Sequence, residues 1–218
     1  MPNTPADLVI SSGVAPTIAA TVTRNSSNQA RTITSPAITP GANTLLVALV
    51  STDAPDPCCS PNTVVNAVTN NGTALTWTRA VRSNVQLGTS EIWWAFTPVA
   101  HATMNVTATT NNPVAASLTV MAFTGAASSL VGAATAAANG PSGPPVASLV
   151  TTRANSIVIG VGNDWDGPRV MIPGTGQTMI NQFNPAVGDT YWMQRSGVIP
   201  AGNTNVTIND SYANRIGV

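Results

Sequence analysis

Residues able to do chemistry are few in this sequence, and they are dispersed. The single histidine, His101, stands between Ala100 and Ala102. A serine hydrolase needs a histidine beside its nucleophile, and the GxSxG turn that presents such a serine is absent. His101 therefore reads as an exposed turn residue. Hydrolysis of a glycoside by two carboxylates needs acids about 5 Å or about 6.5–9.5 Å apart. The single Glu, Glu91, opens the aromatic segment EIWWAFT, where a solvated strand-edge carboxylate accounts for it. No glycine-rich phosphate loop precedes a helix. The expectation is a non-enzymatic protein without a cofactor, apart from one calcium candidate.

That candidate is the loop GNDWDGP, 162–168, where Asn163, Asp164 and Asp166 could offer hard oxygen ligands. Calcium takes roughly six to eight oxygens, so backbone carbonyls or Asp189 would have to join them. A turn held by Asx hydrogen bonds explains the same residues. The aromatic residues Trp93, Trp94, Trp165, Tyr191 and Trp192 could stack on a pyranose face, the usual physics of sugar recognition. Neighbours in a strand point to opposite faces, so one member of each aromatic pair is expected outside, with Trp94, Trp165, Tyr191 and Trp192 as candidate ligand contacts. Cys58 and Cys59 are adjacent in DAPDPCCSPN, too close for ordinary disulfide geometry. Two thiols or cross-chain partners are the simpler reading, with a strained vicinal bond as the alternative.

The elements that must position these groups are strands. Eight Arg, no Lys and one Glu in 218 residues leave little of the vocabulary of helix surfaces. TLLVALV (44–50) and SIVIGV (156–161) are short, continuous apolar runs of a kind buried on both faces. TALTWTRAV follows Asn71-Gly72, a turn dipeptide. EIWWAFT, TMNVTAT, SLTVMAF, SLVTT, QTMINQF, TYWMQRS and NVTIND supply further strands, and GAASSLVGAATAAANGPSGPP separates two sets of them. The fold expected is all-β, a single domain of two face-packed antiparallel sheets, jelly-roll-like. With net charge zero and scattered arginines there is no basic stripe for nucleic acid. No apolar run approaches the roughly 18 residues of a membrane span, and MPNTPADLVISS lacks the pattern of a secretory signal.

Features recur in order along the chain, which points to an imperfect internal duplication with halves at about 20–125 and 146–218. Ala42-Asn43-Thr44 matches Ala154-Asn155-Ser156; Gly88 with Trp93 matches Gly188 with Tyr191 and Trp192; Asn105-Val106-Thr107 matches Asn205-Val206-Thr207. In the first half SLTVMAF follows, whereas the second ends at Arg215-Ile216-Gly217-Val218. One strand is missing, which leaves an apolar groove and an open sheet edge. Three fillings are open: the chain's own N-terminal segment with Leu8, Val9 and Ile10, the same segment (within 1–19) from a neighbouring subunit, or a continuation of the chain beyond Ile216 and Val218.

The segments Ala42–Val50, GTALTWTRAV, GTSEIWWAF, SLTVMAFTG, SIVIGVGNDWD and GDTYWMQ resemble a β-sandwich module of bacterial and metagenomic extracellular proteins and actinophage minor-tail proteins. The likeness runs from about residue 20 onward, and departs at the end, where that family continues through a final apolar strand. It implies a non-catalytic role outside the cell or on a virion surface. Two functions are then expected to compete. One is a self-assembling subunit of a filament, coat or surface layer, joined by strand complementation. The other is a carbohydrate-binding or host-adhesion module.

Overall fold

The computed structural model describes residues 2–10, as strand course and pairing, together with 14–57, 61–140, 146–165 and 167–212. No helix occurs among them, so none is long and apolar enough to cross a membrane. Fourteen strands follow in chain order: β1 (Pro2–Ile10), β2 (Thr17–Thr34), β3 (Thr44–Thr52), β4 (Val65–Asn70), β5 (Thr78–Ser83), β6 (Thr89–Thr97), β7 (Val106–Thr124), β8 (Thr135–Ala136), β9 (Val146–Val150), β10 (Ile157–Asp164), β11 (Met171–Pro173), β12 (Gln177–Phe183), β13 (Thr190–Ser196) and β14 (Asn205–Tyr212). All pairings are antiparallel. A six-stranded sheet has the order β2-β7-β3-β6-β5, with β4 added to β7; a five-stranded sheet is ordered β12-β13-β10-β1-β8; a three-stranded sheet is β11-β14-β9.

The two larger sheets face each other. Leu45, Val47 and Leu49 of β3, Ile92 of β6 and Phe123 of β7 meet Ile157, Ile159 and Val161 of β10 and Met193 of β13 in one core. The expectation of two sheets falls short here, because each central sheet is covered on its other face too. Leu46, Ala48 and Val50 of β3 point the opposite way, into a second core with Val65 and Val68 of β4 and Val106 and Ala108 of β7. On the far side of β10, Val158 packs with Leu149, Val206 and Ile208 of the three-stranded sheet. This layering explains why β3 and β10 are buried at every residue: a strand covered on both faces reads as a continuous apolar run.

Strand β7 shows both regimes in one element. Its first residues alternate buried and half-buried, while Val114 to Phe123 are all buried. The change coincides with Asn111-Asn112-Pro113, where β7 turns from pairing with β4 and the end of β2 to pairing with β3. Proline has no N–H for the ladder and suits such a break.

The two halves run parallel in several respects. β3 lies between β6 and β7, and β10 lies between β13 and β1. Asn43 and Asn155, ahead of β3 and β10, both have left-handed backbone, φ 51° and 55°. Gly88 and Gly188, ahead of β6 and β13, share positive φ as well.

Candidate functional site: the seat of the first strand and the acidic junction

Strand β1 flanks β10 on the side away from β13. It runs antiparallel to β10 with Ile10, Val9, Leu8, Asp7 and Ala6 opposite Ile157, Val158, Ile159, Gly160 and Val161, and reaches Pro2 opposite Asp164. In the first half β7 flanks β3 in the same manner, from Thr124 opposite Thr44 to Ala116 opposite Thr52. Leu8 and Asp7 also pair with Thr135 and Ala136 of β8, so the small-residue segment supplies the outer edge. Leu8, Val9 and Ile10 of the N-terminal segment thus pair with β10 within the chain. Ile216 and Val218 lie outside the described residues.

At the end of the sandwich where β3 and β10 finish and β6 and β13 begin, polar groups bind the halves together. Ser51 Oγ donates to Gly162 O at 2.8 Å, and Ser90 Oγ to Asn163 Oδ1 at 3.2 Å. Asn163 Nδ2 donates to Thr52 O at 3.1 Å and Leu87 O at 3.2 Å. Each of these bonds links one half to the other. Gly88 is required beside them: its φ is +76°, and a Cβ there would collide with Asn163 Nδ2 and Thr52 O.

Two acids meet at the same junction. Asp189, 2% exposed, accepts from Tyr191 Oη at 2.6 Å and shares a side-chain hydrogen bond with Asp53. Burial, with the charges of Asp53 and Asp164 added, pushes Asp189 up to about 8 against the Tyr191 hydroxyl, which acts in the other direction. Burial also raises Asp53, opposed by its bonds to Asp189 and Ala54 N. Two carboxyls joined by a hydrogen bond hold a proton between them, one on each half. Tyr191 is itself raised by burial and by Asp189, and its hydroxyl oxygen also lies 3.4 Å from Ala115 O.

The calcium candidate divides. Asn163 is fully buried with its amide engaged between the halves, and Asp164, also buried, meets Arg169 Nη1 at 2.8 Å. Asp166 lies outside the described residues, as do Cys58 and Cys59. Among the described residues no group of three or more His, Cys, Asp or Glu is placed to hold a metal ion.

The aromatic expectations need correction. Tyr191 and Trp192 do point to opposite faces of β13, but both are 0% exposed because both faces are covered. Trp192 lies over Gly162 of β10, where a Cβ would strike the indole ring, and donates from Nε1 to Asp210 Oδ2 at 3.1 Å. Trp93 is buried in the core under β4, with Arg79 5.9 Å over its ring. Trp94 is half-buried against the core between the central sheets, and Trp165 is half-buried with its Nε1 covered. These residues form no continuous stacking face. His101 is half-buried, its N–H bonded to Pro40 O.

Glu91 departs furthest from its reading as a solvated carboxylate. It is 0% exposed and accepts from Val65 N, Arg82 Nε, Arg82 Nη2, Thr89 Oγ1 and Trp93 Nε1 at 2.7–3.3 Å. Arg82 and Glu91 are register partners across β5 and β6. A buried carboxylate is tolerated when paired and supplied with donors, and this one ties β4, β5 and β6 together. The signal was in the sequence, one Glu and one Arg at matched strand positions, yet only the register joins them. The chain matches no family model, no curated protein and no solved structure.

Proposed function

We propose that this chain is a non-catalytic structural subunit, of an extracellular or virion-surface layer or filament, that assembles by exchanging β1 between copies. The observation that carries the reading is the seat of β1. Strand β1 fills an interior position of a sheet, held along its length by a β10 that is buried at every residue. Such a strand can be donated to a neighbour with its backbone pairings reproduced, which is the low-cost route to domain-swapped assembly. Donation in one direction around a ring or along a line gives a closed oligomer or a filament.

A neighbour's β1 offers β10 the same register as the chain's own. The carbohydrate-binding alternative has lost its best support, since Tyr191 and Trp192 are buried.

The test is a cysteine pair across the seat, Val9→Cys with Val158→Cys, in a chain whose Cys58 and Cys59 are replaced by Ser. Under oxidation, cross-linked ladders on denaturing gels, together with ordered particles in negative-stain electron microscopy that vanish on deletion of residues 2–10, support exchange. A cross-link confined to single chains at all concentrations, with a monomer by light scattering, removes the proposal.

A further inference from the structure

Asp210 of β14 projects into the thin core between the three-stranded and five-stranded sheets and is 4% exposed. Its Oδ2 accepts from Trp192 Nε1 at 3.1 Å and from Gln194 Nε2 at 2.8 Å. Trp192 and Gln194 alternate with Tyr191 and Met193 along β13, so both face the outer sheet and meet the same carboxyl oxygen. Gln194 is 0% exposed.

Two atoms of this group are unaccounted for. Asp210 Oδ1 and Gln194 Oε1 are both buried, and neither has a hydrogen-bond partner. Each is an acceptor in the ordinary protonation state, and a buried polar atom left unsatisfied costs on the order of 1–3 kcal/mol. The two belong to side chains already joined through their other atoms. One proton satisfies both: carried on Asp210 Oδ1, it is donated to Gln194 Oε1, while Gln194 Nε2 donates to Asp210 Oδ2. The result is the eight-membered ring of a carboxylic acid with a primary amide.

We propose that Asp210 is a neutral carboxylic acid in the folded protein, and that its ring with Gln194 is a proton-dependent latch holding the β11-β14-β9 sheet on the central sandwich. Burial favours the neutral form and raises Asp210 to about 7, even though the donors Gln194 and Trp192 favour the ionised one. Among the described residues no counter-charge offsets this. Neither β9 nor β11 carries a titratable side chain. On β10, Asp164 pairs with Arg169. On β13, Arg195 donates to Ser196 O at 3.0 Å and Tyr191 bonds Asp189 from the opposite face. At the end of β14, Arg169 stands 5.0 Å over the Tyr212 ring, and on β1, Asp7 is paired in register with Gly160.

The latch adds to a short set of contacts that hold this layer, among them Gln177 of β12, which donates to Thr207 O and Asn209 Oδ1, and Gln182, which accepts from Met171 N. The layer's core against β10 consists of Leu149, Val158, Val206 and Ile208, with a few half-buried neighbours. Loss of the proton puts a carboxylate oxygen against Gln194 Oε1, two acceptors face to face, and the outer sheet opens more often.

The experiment follows the Asp210 side-chain carboxyl carbon by NMR in the full chain from about pH 4 to about pH 10, beside amide hydrogen exchange of β14 corrected for intrinsic rates. The expected result is a carboxyl midpoint near 7 and a protection of β14 amides that falls at least tenfold across it. In D210N the Asn Oδ1 accepts from Trp192 and Gln194, and its Nδ2 donates to Gln194 Oε1. That variant keeps the ring without a titrating proton and holds β14 protection level with pH. A carboxyl midpoint below about 5, or the same pH dependence of β14 in D210N as in the natural chain, overturns the proposal. If D210N does not fold, the carboxyl titration of the natural chain decides alone.

Discussion

Glu91 and Asp189 show how burial alters what a carboxylate does. Glu91 accepts five hydrogen bonds, two of them from a bidentate Arg82. Removing the carboxylate leaves Arg82 with an uncompensated charge, so Glu91→Ala is expected to destabilise the chain by about 3–5 kcal/mol in urea unfolding. Asp189 lies in the opposite situation, with one neutral donor and a second acid as its neighbours. It keeps its proton in the folded chain up to about pH 8, while in the unfolded chain it loses it near 3.8. The folded state therefore binds more protons across that window, and its stability falls as pH rises through it. Asp189→Asn, which is neutral throughout, should raise the melting temperature relative to the natural chain at about pH 8–9 and much less at about pH 4. At Gly162 the issue is space: Gly162→Ala drives a methyl into the Trp192 indole, an overpacking expected to cost about 1–3 kcal/mol.

At the scale of elements, β7 and β1 are two answers to one requirement. A central strand buried on both faces needs a hydrogen-bonded neighbour on each side. β3 takes β7, which follows it in the chain after β4, β5 and β6, and β10 takes β1, which precedes it by most of the sequence. Deleting residues 2–10 strips the partner from β10 and exposes an apolar edge. The expected outcome is loss of soluble, ordered species to disordered aggregation, seen by size-exclusion chromatography. Turns are also matched between the halves. Asn43 and Asn155 hold the left-handed backbone ahead of each buried strand, so Asn43→Ala should cost about 1–2 kcal/mol in thermal unfolding, whereas Asn43→Gly should be nearly neutral.

For the molecule as a whole, the acids divide the pH scale. Asp189 and Asp210 both carry folded values above the unfolded 3.8, about 8 and about 7. Both contribute stability at low pH that is lost on the way to pH 8. The melting temperature of the natural chain should accordingly decline from about pH 5 to about pH 9. A flat or rising profile would show that neither acid is held protonated. The acids sit on opposite faces of β13, Asp189 with Tyr191 at the junction of the halves and Asp210 with Trp192 under the outer sheet. One rise in pH therefore loosens two layers at once.

Much of this architecture was readable in order along the chain. The apolar runs at 44–50 and 156–161, the Asn-Gly turn and the alternating segments determined an all-β chain with two strands buried on both faces. Local pattern suffices there, because side-chain period and turn chemistry are properties of neighbouring residues. The tertiary structure alone decided which strand pairs with the free side of β10, since pairing between Ile10 and Ile157 spans most of the chain and leaves no local trace. It also decided the fate of the aromatic and acidic residues. Alternation places Tyr191 and Trp192 on opposite faces, but whether a face meets water depends on what the rest of the chain lays over it. A third sheet on one side and a curled β7 on the other turned candidate surface residues into core, and made a neutral acid of Asp210.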